Sequence, residues 1–312
     1  MNNMLNILEQ ICIEDQYNKA QTKEFIIKDI VNSDFDNKQK KAIEALQAYF
    51  NGKYYQSKEK RISELTGQSR FEFEVLRDTF LLNEILLLTI PCDRPVKIQA
   101  IVGHLAPILE MENHWDAIKT AAELISVVGS ATDFYDILLV EHSGEKSIEV
   151  QSNYKLEFDT LVKLEKMKYL PPLITKPKEI KSNLDTPYLS KNVVQKSVIL
   201  GKENHHNYPQ ALDVINIANS VALELDTDIL QYEETSKKPL DTKEKLLNFQ
   251  LLRESSKEVF EDMINAGNKF YFSWRFDKRG RMYSMGYHIN IQANEYRKAM
   301  LSLAKKEIIK LD

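Results

Sequence analysis

The chain has 312 residues, of which 43% are hydrophobic and 28% are charged, and its formal net charge is −4. This composition excludes an intrinsically disordered protein and allows one large hydrophobic core or two moderate ones. The charge excludes a globally basic nucleic-acid-binding protein, and two cysteines are too few for a disulfide framework. No apolar run approaches the roughly 20 residues of a membrane-spanning helix, so a folded protein of a reducing cytoplasm, with no membrane partner, is expected.

Charge is distributed unevenly along the chain. From Tyr271 to Asp312 there are nine basic and four acidic residues, a net charge of +5, so residues 1–270 carry −9. A local positive field on an acidic body can hold a phosphate backbone without making the whole protein bind nucleic acid unspecifically. The last part of the sequence is therefore the first candidate for a nucleic-acid contact.

The first 150 residues have the pattern of a helical domain. Apolar residues recur at three-to-four spacing, as in the stripe of Ile43, Leu46 and Phe50, and this period predicts amphipathic helices. Near the end of this stretch, alternating residues flank a turn signal at 143–144 and predict a β-hairpin. We expect residues 1–150 to form a helical N-terminal domain.

Residues 151–226 are predicted to form a connector and a helix. Prolines punctuate the stretch from Tyr169 to Pro209, which has little periodicity, so we expect an extended connector that lies over the surface of the body. A helix is then predicted to start shortly after Pro209. Its apolar residues at helical spacing are Val214, Ala218, Val221, Ala222 and Leu225.

A second long helix is predicted from about Asp241 to Gly267. The Asp241 side chain can cap the N-terminus while Glu244 reaches back, and Gly267 stands where a left-handed C-terminal cap is favoured. The helices on either side of the turn at 237–239 are expected to form an antiparallel pair, which we place at residues 227–266.

The last stretch, residues 267–312, combines strand and turn patterns. The aromatic-rich FYFSWRF (270–276) predicts a strand, DKRG (277–280) has turn chemistry, and RMYS (281–284) predicts a returning strand. From about Asn294, an amphipathic helix is predicted by Tyr296, Met300, Leu303 and Ala304. The whole chain is thus expected to be mainly α, of the α+β type.

The predicted turn carries a candidate nucleic-acid site. Asp277 precedes Arg281 by four residues, and a carboxylate at this spacing can orient the guanidinium for phosphate oxygens. Gly280 has no Cβ and lets another backbone come close. Four aromatic residues near the turn could stack on bases: Tyr271, Phe272, Trp274 and Tyr283. The same residues are equally compatible with an ordinary solvated basic hairpin over an aromatic core.

The segment FDKRGRMYSMGYHINIQANEYRKAMLSLAKKE (276–307) resembles the part of the phage and mitochondrial single-subunit RNA polymerases that contains the DxxGR motif. The matching positions are Asp277, Gly280, Arg281, Asn290, Gln292, Asn294, Lys298, Leu301, Leu303, Ala304 and Lys305. Two upstream segments, YLPPLITKP (169–177) and YPQALDVINIANSVALELDTDIL (208–230), resemble the Pro-Pro and A-I-N-I-A segments of that family in the same order. The resemblance covers roughly residues 167–306.

In that family the DxxGR region touches the template strand of the RNA–DNA hybrid. The resemblance implies that two arginines of the turn meet template phosphates and that a lysine of the following segment faces the same channel. The nucleic-acid-binding residues expected in this way are Asp277, Arg279, Gly280, Arg281, Tyr283 and Lys298. The sequence departs from the family at Lys278, where the family has an aromatic residue, and at Arg275, where it has Asn.

The resemblance also implies an architecture and partners. Residues 227–266 become a short thumb-like helical pair, and residues 267–312 the opening of a right-hand polymerase palm with a β-hairpin. The metal-binding aspartates of the family follow this motif, and the sequence stops at Asp312 before them. The chain is therefore expected to hold no catalytic residue and no metal ligand, while a second subunit carrying fingers and catalytic palm binds Mg²⁺.

These expectations describe the non-catalytic N-terminal subunit of a heterodimeric phage DNA-dependent RNA polymerase, as in the two-chain enzymes of schitovirus-type podophages. Template DNA, the RNA–DNA hybrid and an accessory single-stranded-DNA-binding factor are the further partners, in the cytoplasm of the bacterial host. A subunit is also expected to expose an apolar surface around residues 299–311. The alternatives are an autonomous nucleic-acid-binding protein and the N-terminal fragment of a longer single-chain RNA polymerase.

Overall fold

A computed structural model of the chain describes residues 2–17, 19–31, 34–52, 74–92, 94–111, 113–142, 144–190, 197–201 and 208–306. The chain divides into two compact units. Residues 23–157 form the helical unit, and residues 1–22 with 158–312 form the C-terminal unit. Helices dominate and the described strands form small antiparallel sheets, which confirms the mainly α, α+β class.

The described part of the helical unit contains five α-helices and a three-stranded sheet. Its helices are α2 (Lys19–Ile30), α3 (Phe35–Asn51), α4 (Glu74–Thr89), α5 (Ile98–Leu105) and α6 (His114–Ala131). Its strands are β1 (Val96–Lys97), β2 (Tyr135–His142) and β3 (Glu145–Ser152), in the order β1-β3-β2. The predicted hairpin is confirmed as β2–β3; Gly144 of its turn has φ +87°, and residue 143 lies outside the described residues.

The core of the helical unit follows the periodic stripes. On α3, Leu46 and Phe50 are buried as expected while Ile43 is half-buried, and α3 packs against α6. Burial of one stripe per helix removes apolar area from water at about 25 cal/mol per Å², which stabilises helices of modest intrinsic propensity. The unit ends at residue 157, close to the expected boundary at 150, but it begins at residue 23 rather than at the first residue.

The C-terminal unit contains the remaining elements. Its helices are α1 (Asn2–Gln16), α7 (Phe158–Met167), α8 (Leu212–Asn219), α9 (Lys243–Asn265) and α10 (Glu295–Ala299). Its strands are β4 (Ala222–Leu225), β5 (Phe270–Tyr271), β6 (Trp274–Phe276), β7 (Met282–Ser284) and β8 (Leu301–Leu303). One sheet has the order β5-β4-β8, and β6 pairs with β7 in a hairpin. No described helix in either unit combines the length and hydrophobicity needed to cross a membrane.

Helix α1 belongs to the C-terminal unit because two of its buried side chains accept hydrogen bonds from backbone N–H groups elsewhere in that unit. Gln10 is 1% exposed, and its Oε1 accepts a hydrogen bond from the Ile174 N–H at 2.7 Å. Glu14 is 2% exposed, and its carboxylate accepts hydrogen bonds from the backbone N–H groups of Leu189 and Ser190. Sequence periodicity carries no signal for such contacts, because both partners are far away in the chain.

The expected surface position of the connector is correct only in part, because Lys176 and Lys178 are exposed while other stretches are buried. Leu173 is fully buried and exchanges both backbone hydrogen bonds with Tyr271, at 2.9 and 2.7 Å. Further along, the Leu200 N–H donates to the carbonyl of Phe276 at 2.7 Å. The connector is extended as predicted, but it pairs with strand edges, because otherwise buried backbone groups at those edges would lack partners.

The helix predicted after Pro209 is shorter than expected. It ends at Asn219, and residues 222–225 form β4, the central strand of its sheet, with Leu223 and Leu225 buried. Pairing on both edges of β4 overrides the helical spacing of its apolar residues. The expected helical pair at 227–266 therefore contains one helix, α9, which is preceded by a single 3-10 turn at Ile229–Gln231.

Helix α9 itself agrees closely with its prediction. Thr242 rather than Asp241 caps its N-terminus, through a hydrogen bond from the Lys245 N–H to the Thr242 hydroxyl at 3.2 Å. Asp241 instead forms an ion pair with the Lys245 side chain. Gly267 follows the helix with φ +96°, the left-handed conformation that favours glycine.

The helix predicted from Asn294 is wrong over most of its length. Asn294 caps α10 by accepting from the Arg297 N–H at 2.9 Å, but α10 has only five residues. The chain then pairs with β4 as β8, in which Leu303 is 60% exposed. The expected apolar surface at 299–311 is described only to residue 306, and within that part Met300 is fully buried.

Candidate nucleic-acid interface

The strand predicted over 270–276 is split into β5 and β6, which lie in different sheets, and β6 forms the predicted hairpin with β7 around a loop closed by Asp277. The Gly280 N–H donates to the Asp277 carbonyl at 3.0 Å, and the Asp277 N–H donates to the Arg281 carbonyl at 2.9 Å. Gly280 has φ +80°, the left-handed position of a three-residue hairpin loop. No described residue lies within 4 Å of a Cβ built there, so backbone conformation, and not close packing against those residues, favours glycine.

The Asp277 carboxylate organises the loop with both of its oxygens. Oδ1 accepts from the backbone N–H groups of Arg279 at 2.8 Å and Arg281 at 2.9 Å. Oδ2 accepts from Nε and Nη2 of Arg279 at 3.1 and 3.0 Å. Hydrogen bonds from the backbone N–H groups of Arg281 and Arg279 and from the Arg279 guanidinium hold the pKa of Asp277 below its usual value. The expectation that Asp277 orients the Arg281 guanidinium is wrong, because Asp277 binds the guanidinium of Arg279.

The Arg281 side chain is left available for a ligand. It is exposed, and its guanidinium makes no hydrogen bond or ion pair with any part of the chain that the structure describes. Arg279 is also exposed, with its fork held by Asp277, and Lys278 projects from the same loop. The loop thus presents three cations against one carboxylate. A free guanidinium fork on such a loop suits the planar, two-point recognition of phosphate oxygens.

Of the four aromatic residues expected to stack on bases, two are unsuitable. Tyr271 is 8% exposed and Phe272 is 1% exposed, so both belong to the core. Trp274 and Tyr283 are half-buried and keep part of their surface in solvent. Tyr283 pairs across the hairpin with Arg275, whose Nη2 donates to the Ile199 carbonyl at 2.7 Å. Of the two partly exposed aromatic residues, Tyr283 lies closer to the loop along the chain, two residues after Arg281.

Two side chains of the N-x-Q-x-N positions, Asn290 and Gln292, form hydrogen bonds along the outer edge of strand β7. The Ser284 N–H donates to Gln292 Oε1 at 3.0 Å, and Gln292 Nε2 donates to the Met282 carbonyl at 3.1 Å. Asn290 accepts from the Ser284 hydroxyl at 2.8 Å and donates to the Gly286 carbonyl at 2.7 Å. Two amide side chains thus complete the free edge of β7. The spacing of these residues was visible in the sequence, but their bracing role was not.

A buried ion pair anchors the segment that follows. Arg297 is 3% exposed, and its Nη2 and Nε bind the Glu234 carboxylate at 2.9 and 3.0 Å. Its Nη1 donates to the carbonyls of Tyr287 and His288, and Asn294 Nδ2 donates to Glu234 at 2.6 Å. Burial opposes ionisation of Glu234, but the hydrogen bonds from Arg297 and Asn294 outweigh it and lower the pKa of Glu234.

The structure brings five of the six predicted site residues together. Asp277, Arg279, Gly280 and Arg281 form the loop, and Tyr283 lies two residues further along β7. Lys298 lies on α10, is exposed, and makes no hydrogen bond or ion pair with the loop.

No protein-family model matches the chain, and no curated protein matches it significantly. Within the described ranges, no group of three or more His, Cys, Asp or Glu side chains could hold a metal ion.

Proposed function

We propose that the chain is the non-catalytic N-terminal subunit of a heterodimeric phage DNA-dependent RNA polymerase, in which it contacts template DNA and the RNA–DNA hybrid. The observation that carries this proposal is the loop at 277–281. The Asp277 carboxylate closes the loop by accepting from four donors, two backbone N–H groups and two guanidinium nitrogens of Arg279, and the neighbouring Arg281 guanidinium faces solvent without a partner among the described residues. A guanidinium with all of its donors free can bind two phosphate oxygens at once.

The resemblance and the geometry support the proposal at the same positions. Asp277 and Gly280 of the DxxGR motif build the loop, while Asn290 and Gln292 brace it. Asn294 caps α10 and binds Glu234.

In the proposed enzyme the chain binds and orients the nucleic acid while the second subunit performs the chemistry. Arg281 and Arg279 hold template phosphates, Tyr283 offers a partly exposed ring to a base, and Lys298 contributes further positive charge. Phosphoryl transfer by two metal ions needs carboxylates to hold Mg²⁺, and the second subunit, with fingers and catalytic palm, supplies them. The C-terminal unit completes the palm of that subunit.

Reconstitution of RNA synthesis on single-stranded DNA tests the proposal. The full chain, a candidate second chain that carries the carboxylate motifs, and the mixture are compared with the same template and nucleotides. We expect RNA only from the mixture. RNA made by this chain alone would contradict a non-catalytic role, and RNA made equally well without this chain would contradict a subunit role.

The same loop would also suit an autonomous nucleic-acid-binding protein. In that case the chain alone binds single-stranded DNA tightly, with an affinity that falls steeply with salt, and it does not stimulate RNA synthesis by any second chain. The third alternative, a fragment of a longer single-chain polymerase, predicts activity when the chain is covalently continued by the catalytic segments.

A further inference from the structure

A cleft of about 240 Å³ lies between α8 and the connector of the C-terminal unit. Its walls are Lys176, Pro177, Lys178, Glu179, Asn216, Asn219 and Ser220. Several of these residues fall within the two upstream segments of the resemblance, to which no role has been assigned. The cleft is separate from the loop at 277–281, but it adjoins the first residue of β6 through Asn219.

Asn219 lines this cleft with an unsatisfied donor. The residue is 2% exposed, and its Oδ1 accepts from the Trp274 N–H at 2.9 Å. A backbone N–H can only donate, so this contact fixes which end of the amide is the oxygen and turns the NH₂ group away from β6. Nδ2 is buried and has no hydrogen-bond partner in the part of the chain that the structure describes. A buried donor left in this way costs free energy unless a ligand accepts from it.

The other walls of the cleft combine a hydrogen-bonded side chain, that of Asn216, with two exposed lysines. Asn216 accepts from the Ile180 N–H at 2.8 Å and donates to the Ile180 carbonyl at 2.9 Å, which fastens the connector to α8. Lys176 is exposed and forms no ion pair with a described residue. Lys178 is exposed and has only a long 3.7 Å ion pair with Asp185.

We propose that this cleft binds a phosphate group of the nucleic-acid strand that the loop at 277–281 also holds. Asn219 Nδ2 donates to a phosphate oxygen, and Lys176 and Lys178 supply the positive charge. This inference rests on the proposed function and extends it from one phosphate contact to a track along the protein.

The exposed lysines favour an anionic ligand. The walls hold two lysines and one carboxylate, Glu179, and Asp185 lies 3.7 Å from Lys178 and offsets part of its charge, so Lys176 is the cation that has no ion pair with a described residue. The carbonyl end of α8 opposes an anion, but the dipole of an eight-residue helix amounts to about half an elementary charge, which the lysines outweigh.

The spacing suits one strand that passes both sites. Trp274 and Asp277 stand at opposite ends of β6, three residues apart, which corresponds to about 10 Å of extended chain. Phosphates of a stacked strand follow one another at about 3.4 Å along the axis, so roughly three nucleotides separate the two contacts. An oligonucleotide must exceed that length to occupy both.

Salt-dependent binding of oligothymidylates of about 4 and about 12 nucleotides to the full chain tests the proposal. The variants are Lys176→Gln with Lys178→Gln at the cleft and Arg281→Ala at the loop. A matched control, Lys146→Gln with Lys155→Gln, removes the same charge from exposed lysines of the helical unit. We expect the cleft variant to bind the longer oligonucleotide about tenfold more weakly, with a slope of log affinity against log salt that is less steep by about 1. The shorter oligonucleotide should be less affected.

Asn219→Asp is a second cleft variant, which keeps an oxygen for the Trp274 N–H and replaces the free donor by a negative oxygen. A folded Asn219→Asp chain should lose at least as much affinity as the lysine variant, and the exposed lysines keep the test valid if this buried change prevents folding. If Arg281→Ala weakens binding while the cleft variants match the control, the cleft inference is overturned and the proposed function stands. If no variant changes binding, both fail. Binding of inorganic phosphate at the cleft with unchanged oligonucleotide binding would also overturn the inference.

Discussion

Asp277 separates the roles of two neighbouring arginines. Its carboxylate takes the guanidinium of Arg279 and only the backbone N–H of Arg281. Arg279 is therefore oriented but partly neutralised, whereas the full charge and all donors of Arg281 remain for a ligand. Charge-assisted bonds between a guanidinium and a phosphate are about twice as strong as neutral ones, so Arg281 should dominate.

The first prediction concerns Arg281. We expect Arg281→Ala to weaken the hold of the reconstituted enzyme on its hybrid about tenfold, or about 1.4 kcal/mol, and to shorten the RNA products. Arg281→Lys keeps the positive charge but loses the two-point geometry of the guanidinium, so its product lengths should lie between those of the wild type and those of Arg281→Ala. Product lengths on a gel provide the measurement, and unchanged lengths for Arg281→Ala would remove this residue from the site.

Gly280 provides a test of the loop conformation itself. At φ +80°, an alanine is strained although no described residue obstructs its Cβ, so Gly280→Ala should lower the free energy of unfolding by about 1–2 kcal/mol. Gly280→Asn should cost less, because asparagine tolerates the left-handed region better. Urea denaturation measures both, and an alanine variant as stable as the wild type would contradict this conformation.

At the residue scale the sequence predicted the loop but not its hydrogen bonds. The spacing of Asp277 and Gly280 is typical of this hairpin loop, because only certain residues allow its conformation. Whether Asp277 binds Arg279 or Arg281 was not predictable, since both guanidinium groups can reach the carboxylate and the outcome depends on local backbone geometry. The orphan amide of Asn219 was equally invisible, because it depends on a contact with Trp274, 55 residues away.

At the scale of elements, a buried polar network joins α9 to the segment before α10. Arg297 binds Glu234, the His288 carbonyl and the Ser256 hydroxyl, and Ser256 in turn contacts His288 Nδ1 at 3.0 Å. Every nitrogen of the Arg297 guanidinium donates a hydrogen bond in this network, whereas the buried Nε2 of His288 has no hydrogen-bond partner among the described residues. The network fixes the segment that carries the braces of the hairpin.

Removal of the acidic partner should reveal how much this network stabilises the fold. Glu234→Gln keeps the shape of the side chain but leaves the Arg297 charge buried, so the free energy of unfolding should fall by about 3 kcal/mol. The control is the adjacent Glu233→Gln, whose carboxylate is 77% exposed in its ion pair with Arg253 and should matter by less than about 1 kcal/mol. Equal effects of the two substitutions in urea denaturation would contradict a buried network.

His288 predicts a pH dependence of stability. Burial and the nearby charge of Arg297 lower the pKa of His288 from 6.5 to about 4. Because the folded pKa is depressed, the unfolded chain binds the proton first, and stability that is complete above pH 6.5 falls as the pH drops toward 4. The loss should approach about 3 kcal/mol across that window. Denaturation midpoints of the wild type and His288→Asn measured between pH 4.5 and 7.5 should diverge, and parallel curves would contradict this assignment.

Helices and strands were predicted correctly where the local sequence pattern favours the same structure as the contacts with distant segments. Helix α9 and the β6–β7 hairpin match their sequence signals because caps, loop residues and burial all favour the same structure. Strands β4 and β8 were mistaken for helix, because apolar residues at three-to-four spacing cannot reveal that two distant segments pair. The buried stretches of the connector were missed for the same reason.

At the scale of the whole molecule, positive charge is concentrated locally on an acidic chain. The loop at 277–281 carries three cations and one carboxylate, whereas residues 1–270 carry a net −9. Long-range attraction to nucleic acid is therefore weak, and under the proposed function binding depends on the few exposed cations of the C-terminal unit and on the second subunit. This distribution favours a subunit that holds a strand within an assembly over a protein that coats nucleic acid.

Site-specific crosslinking from the loop is the most direct test that it contacts the template. Lys278 is exposed at the loop, so Lys278→p-benzoylphenylalanine places a photoreactive ring there without disturbing the core. In a complex assembled with the second subunit, template DNA and an RNA primer, we predict a crosslink to the template strand within a few nucleotides of the RNA 3′ end, reduced by Arg281→Ala. Crosslinks confined to protein or to the non-template strand would contradict the proposed role of the chain.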